Sequence, residues 1–278
     1  MRPEADTQDK KFFHAVGPEI FCLANIEQNM INALMKSLEG KNILVIGGGS
    51  GMGAASALLL CEHGAKVAIA GRTIDSLRET ERLNQEERRL SCKTADVSNR
   101  QSLEELFAWF DDELGQLDVL INAAGINVPQ REMSQLSGKD WDDVLKTNLT
   151  GAFDSLRLAL ERMRPRRDGL IVMINSISGK RSNPLGGVAY NASKFGMTAL
   201  GACVSEEERE NGVRITNLFP GEVNTPILDK RPTPPPAEHR AKILQPEDIA
   251  QAIILLAQLP PRAHVPELII KPTIQSYL

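Results

Sequence analysis

The sequence predicts one α/β domain over residues 35–278, a single doubly wound parallel sheet of the Rossmann type with helices on both faces. Three observations carry the prediction. From residue 41 onward, short runs rich in Val, Ile and Leu alternate with longer runs of helical spacing, the rhythm of parallel strands joined by right-handed helical crossovers. The first such run ends in a glycine-rich turn, GGGSGMG, which opens into an apolar helix. The chain's 278 residues, 42% hydrophobic and 24% charged, suit a soluble domain with a substantial core.

In chain order, residues 1–34 stand outside this rhythm as an N-terminal extension of unknown role, and residues 42–46 (NILVI) form the first strand. Gly47, Gly51 and Gly53 follow in a G-x-x-x-G-x-G turn with Gly49, Ser50 and Met52 between them. Glycines allow a tight turn and close backbone approach, and the free N–H groups of a helix start attract a pyrophosphate. The second strand, 66–70 (KVAIA), leads to Gly71, Arg72 and Thr73. A dinucleotide site usually places an acid there for the ribose 2′-hydroxyl. Arg72, able to pair with a 2′-phosphate, and the Thr73 hydroxyl instead predict NADP(H) over NAD(H).

A third strand in KTADV (93–97), then 117–123 (LDVLINA), 170–176 (LIVMINS) and 213–219 (VRITNLF), complete the predicted sheet. Helical spacing runs without a break over 140–163 and again over 247–259. The proline-rich segment 226–248 reads equally as a stiff surface loop or as an active-site lid, since it follows a strand's carboxyl end.

Composition narrows the partners. A net charge of -4 gives no reason to expect nucleic acid or an anionic membrane. Cys22, Cys61, Cys92 and Cys203 lie far apart, which predicts reduced thiols in a cytoplasmic protein, with neither disulfide nor zinc. No apolar run approaches the ~18–20 residues of a membrane span, and the stretch FFHAVGPEIFCLANI is interrupted too often for a signal peptide.

Tyr190 and Lys194 in YNASK share a helix face at i and i+4. With the glycine loop at Gly47, NAAG at Asn122, TNLTG around Asn148, INSISG around Ser176 and PGEVNT at Pro220, all in this order, the chain resembles the short-chain dehydrogenase/reductase (SDR) family over nearly everything after Met35. The resemblance implies Tyr190 as catalytic acid/base, Ser176 as the hydroxyl orienting a substrate carbonyl, and Lys194 as the partner that binds the nicotinamide ribose and lowers the tyrosine pKa. It implies Asn148 as holder of a proton-relay water. Asp96 and Val97 would meet the adenine side, and Asn122, Ala123 and Gly125 would line the cofactor cleft. Pro220, Gly221, Val223 and Thr225 would lie against the nicotinamide. The implied activity is NADP(H)-linked reduction of a small ketone or aldehyde, or oxidation of the alcohol, by a homodimer or homotetramer.

The sequence departs from the family at several positions. Ile46 stands where a threonine is common, Ser50 where many NADP-preferring members carry a basic residue, and Ser178 is a rival to Ser176. The C-terminus lacks the glycine-rich end of acyl-carrier-protein reductases, although Arg164, Arg166 and Arg167 offer a basic cluster to an acidic carrier. A 3-oxoacyl-carrier-protein-type reductase and a non-catalytic NADP(H)-binding sensor are the competing readings; sensors of that kind typically lose the Tyr and Lys pair, which this chain keeps.

Overall fold

The computed structural model describes residues 37–85 and 90–276; the predicted extension and Cys22 lie outside the described residues. The strands are β1 (Asn42–Ile46), β2 (Lys66–Gly71), β3 (Leu90–Thr94), β4 (Val119–Asn122), β5 (Gly169–Ile174), β6 (Val213–Pro220) and β7 (Glu267–Ile270). The helices are α1 (Gly51–Glu62), α2 (Ile74–Leu83), α3 (Arg100–Leu114), α4 (Gly138–Leu145), α5 (Gly151–Met163), α6 (Val188–Glu207), α7 (Ala237–Arg240) and α8 (Pro246–Gln258).

The strands form one seven-stranded sheet in the order β3-β2-β1-β4-β5-β6-β7, parallel at every pairing. Both faces are covered, so side chains alternate between two cores. Leu44 and Ile46 of β1 join Phe107 and Phe110 of α3 and Leu156 of α5. Ile43 and Val45 join Leu60 of α1 and Ile253 of α8 on the other face. After β1 the chain builds outward to β3, then returns to place β4 on β1's other side. That reversal opens a crevice at the carboxyl ends of β1 and β4, where Ile46 is in register with Asn122.

The structure departs from the sequence expectations in three places. Helical spacing over 140–163 is broken by a π-helical turn, Lys146–Thr150, between α4 and α5; apolar periodicity on either side hides it. β7 was not anticipated: its four residues, ELII, form a short, partly exposed strand at the sheet edge. The third strand ends at Thr94, so Ala95, Asp96 and Val97 lie in the turn beyond it. Among the described residues no helix is long and apolar enough to cross a membrane, Cys61, Cys92 and Cys203 are in no disulfide, and no metal-binding cluster occurs.

Candidate active site

The crevice holds a cavity of about 310 Å³ whose floor is largely backbone. Gly47 adopts a positive φ of 88°, and a Cβ there would meet the Ala123 and Ala124 backbone at 2.8 Å. A Cβ on Gly53 would meet the Gly47 carbonyl oxygen at 2.2 Å, so helix α1 can cross the loop this closely only with glycine. Ser50, flanking α1, makes no side-chain cap, which leaves the helix's first N–H groups and its positive end for an anion. Gly49, Ser50, Gly51 and Met52 line the same cavity.

Arg72 and Thr73 form one end of this cavity, beyond β2, and both are exposed. Val97, Ala123 and Gly125 line it further along, and Tyr190, Lys194 and Thr225 close its other end. Five expected members lie off its wall: Pro220, Gly221 and Val223 line only the adjoining cavity, and Asp96 and Asn122 line neither. The Asp96 carboxylate accepts from Ser98 N and Ser98 Oγ at 2.9 and 2.8 Å, bracing its own turn. Asn122 is 2% exposed, and its Oδ1 is buried without a hydrogen-bond partner.

A second cavity, about 210 Å³, adjoins the first, and Tyr190 lines both. Ser176 lies just beyond β5 and lines the second cavity. Its Oγ accepts from Ser178 N at 3.1 Å, and its hydroxyl is bonded to the Tyr190 phenol. Ser178, though in the same wall, lends only its backbone to that bond, so Ser176 rather than its rival meets the tyrosine. Pro220, Gly221, Val223 and Thr225 form the opposite wall.

Lys194 lies one turn along α6 from Tyr190, with Nζ 5.7 Å from the tyrosine ring centre. That Nζ donates to the Ile174 carbonyl at 3.0 Å, and burial lowers its pKa to about 7. Burial likewise raises the Tyr190 pKa, against which the Ser176 hydrogen bond and the charges of Arg131 and Arg231 act. The Tyr190 pKa is thus raised where a lowering by Lys194 was expected, and the charges that act against the rise are those of Arg131 and Arg231, not of Lys194. A buried ammonium is itself costly to charge, whereas guanidinium keeps its proton.

Asn148 is fully buried in the π turn. Its Oδ1 accepts from Ile126 N at 2.8 Å, and its Nδ2 donates to Ile126 O at 3.0 Å and Ser193 Oγ at 3.1 Å. The side chain therefore clamps the segment after Gly125.

Residues that sequence reasoning passed over complete the second cavity. Arg131, 5% exposed, donates to Val128 O at 2.9 Å, Leu185 O at 3.0 Å and Lys230 O at 2.6 Å, pinning three loops together. Lys230 and Arg231 belong to the proline-rich segment, whose first turn, Pro226–Lys230, roofs both cavities. Arg231 pairs with Glu222, which also bonds His239 Nε2 at 2.7 Å. Glu222 feels burial as its largest influence, upward, but the hydrogen bonds from His239 and Arg231 leave its pKa lowered and the carboxylate ionised. The one signal in the sequence was regional: the proline-rich segment 226–248 follows a strand's carboxyl end, where a lid was one of its two readings.

The basic cluster at the end of α5 is engaged internally. Arg164 pairs with Glu208, Arg166 with Asp118, and Arg167 with the Glu210 carbonyl.

Comparison with known proteins gives one consistent neighbourhood. Residues 41–235 match the family model for short chain dehydrogenase. An uncharacterised oxidoreductase of Staphylococcus aureus (strain USA300) is 31% identical over 240 residues, 86% of this chain and 100% of its own. Among solved structures, the closed form of a serine dehydrogenase complexed with NADP+ is similar with a TM-score of 0.78 at 28% identity, covering 85% of this chain and 96% of its own. An alcohol dehydrogenase from the archaeon Thermococcus sibiricus, complexed with 5-hydroxy-NADP, has a TM-score of 0.76 at 27% identity, covering 85% and 98%.

Proposed function

The chain belongs to the short chain dehydrogenase family of oxidoreductases, and we propose that it transfers hydride between NADP(H) and a small carbonyl or alcohol substrate. The observation that carries this reading is the place of Tyr190 on the wall shared by the two cavities, with Lys194 beside it and Ser176 bonded to its hydroxyl. One cavity fits a dinucleotide: the glycine floor leaves no room for a Cβ, and the uncapped start of α1 faces the phosphate position. A nicotinamide dinucleotide bound there supplies or takes up the hydride.

The protein's part is to bind, orient and move a proton. In the reductive direction Ser176 and Tyr190 hydrogen-bond the substrate carbonyl oxygen, and Tyr190 gives it a proton. Burial keeps the phenol protonated near neutrality, the state a proton donor needs. The phenolate left behind must then be stabilised: moving a phenol from ~10 to ~7 takes about 4 kcal/mol. The Ser176 hydroxyl and the charges of Arg131 and Arg231 contribute to that. Lys194, with a pKa of about 7, exchanges protons in the same range and returns one to Tyr190. Relay to solvent passes a water on the Asn148 main chain, since the side chain is committed to Ile126.

Arg72 and Thr73, with no acid at the end of β2, support NADP(H) over NAD(H). Exposed Phe153 on α5 and Phe195 on α6 support assembly as a homodimer or homotetramer through those helices. The carrier-protein alternative loses its basic docking cluster to internal pairs. The sensor alternative gains nothing from a tyrosine already bonded to Ser176. The test is a panel of ketones and aldehydes, following NADPH absorbance: turnover supports the reading, and tight NADPH binding without turnover of any compound overturns it.

A further inference from the structure

The second cavity has an unusual charge balance. Among the described residues, Arg131, Arg181 and Arg231 line it, against the one carboxylate of Glu222. Buried charges are ordinarily paired, because removing them from water is costly. Arg131 is buried, yet its three bonds go to carbonyl oxygens, which satisfy its N–H groups without cancelling its charge. Among the described residues it has no carboxylate partner. Arg231 spends Nη1 on Glu222; among the described residues its Nε and Nη2 have no such partner, an edge on which a second carboxylate can be held. Arg181, exposed at the mouth, adds positive field where a substrate enters.

We propose that the substrate is a small carbonyl compound bearing a carboxylate, with the carbonyl at Tyr190 and Ser176 and the carboxylate facing Arg231 and Arg181. This rests on the oxidoreductase reading above and adds the substrate's charge to it. Size agrees: about 210 Å³ is below the ~300–1,000 Å³ of pockets for drug-sized ligands. Arg131 serves as a positioning residue, holding the roof at Lys230 against the walls at Val128 and Leu185 while its charge draws the anion inward.

The experiment compares the oxobutanoate and oxopentanoate isomers with their methyl esters as NADPH-linked substrates of the full-length protein. At least one acid is expected to exceed its ester in kcat/KM by roughly 10- to 100-fold, the worth of hydrogen bonds to a charged group. Arg231→Gln collapses that ratio, Arg231→Lys restores part of it, and Arg181→Gln, at an exposed position, lowers it by less. Esters used as well as acids, or a ratio unmoved by both glutamine variants, overturn the proposal. A second readout needs no chemistry: hydroxybutanoate isomers with NADP present raise Tm, butanol does not, and Arg231→Gln abolishes the rise. A Tm rise without turnover of any compound sinks the oxidoreductase reading and keeps the anion site. Turnover of neutral ketones with neither acid preference nor Tm rise sinks the anion site alone.

Discussion

The floor of the cofactor cleft is backbone, with glycines packed against the chain just beyond β4 and against the loop itself, whereas the adjoining cavity is walled by residues from five separate stretches of the chain. Gly47, Gly51 and Gly53 fall within seven residues, while Arg131, Ser176, Tyr190 and Arg231 span a hundred. A backbone wall reads phosphate by N–H groups that every residue type except proline possesses, so its chemistry tolerates little redesign. A side-chain wall sets substrate preference residue by residue without disturbing the sheet beneath it. Tyr190, lining both, is where the two kinds of construction meet.

Substitutions can break this comparison or sharpen it. The largest effect belongs to Tyr190→Phe, which removes the acid shared by both cavities: kcat for NADPH-linked reduction falls roughly 10²- to 10⁴-fold. NADPH affinity, measured by nucleotide fluorescence, stays within a fewfold if the cleft is built independently of the chemistry. A matching loss of affinity breaks the division between the two regions.

Lys194→Met comes next and acts on stability. Burial lowers the folded-state pKa of Lys194 from its ordinary 10.5 to about 7, so between those values the unfolded chain binds more protons and native stability rises with pH. The variant is therefore expected to be more stable than the native chain below pH ~7, by up to about 5 kcal/mol at ~1.36 kcal/mol per tenfold in proton affinity. Loss of the bond to Ile174 O reduces that gain. The advantage shrinks steadily toward pH ~10.5 in urea unfolding at a series of pH values. An inactive but stabilised variant marks the lysine as a functional charge held at a cost to the fold.

Arg72→Asp tests the cleft at its exposed end. The ratio of NADP to NAD affinity should fall roughly 10- to 100-fold, as a charge-assisted contact becomes a repulsion; an unchanged ratio removes the NADP assignment. Smallest is Gly53→Ala. Gly to Ala inside a helix ordinarily stabilises by up to ~1 kcal/mol, but here the new Cβ meets the Gly47 carbonyl at 2.2 Å. The sign reverses, to a loss of about 1–3 kcal/mol by thermal unfolding, accompanied by weaker NADPH binding because the loop must shift.

Much of the molecule was legible in the chain. Strands buried on both faces appear as apolar runs, and β1, β2, β5 and β6 lie where those runs do, within two residues at each end. The glycine turn and the Tyr190 and Lys194 pair are local patterns fixed by turn geometry and helical period. β7 left too short a trace, three apolar residues in a strand of four at the sheet edge. The π turn left none, since one extra residue per turn leaves the apolar spacing on both sides intact.

Local sequence thus determined the elements whose physics is local: periodicity, turn glycines, the helix start that faces an anion, and two side chains one helical turn apart. Tertiary structure alone decided which distant groups share a site. It spent the Asn148 side chain on Ile126, turned the Asp96 carboxylate onto its own turn, and paired the arginines after α5 with internal partners. It also brought Arg131 and Arg231 to bear on Tyr190. Long-range electrostatics and hydrogen bonding depend on distances through space, and those distances are set only when the sheet order and the loops above it are closed.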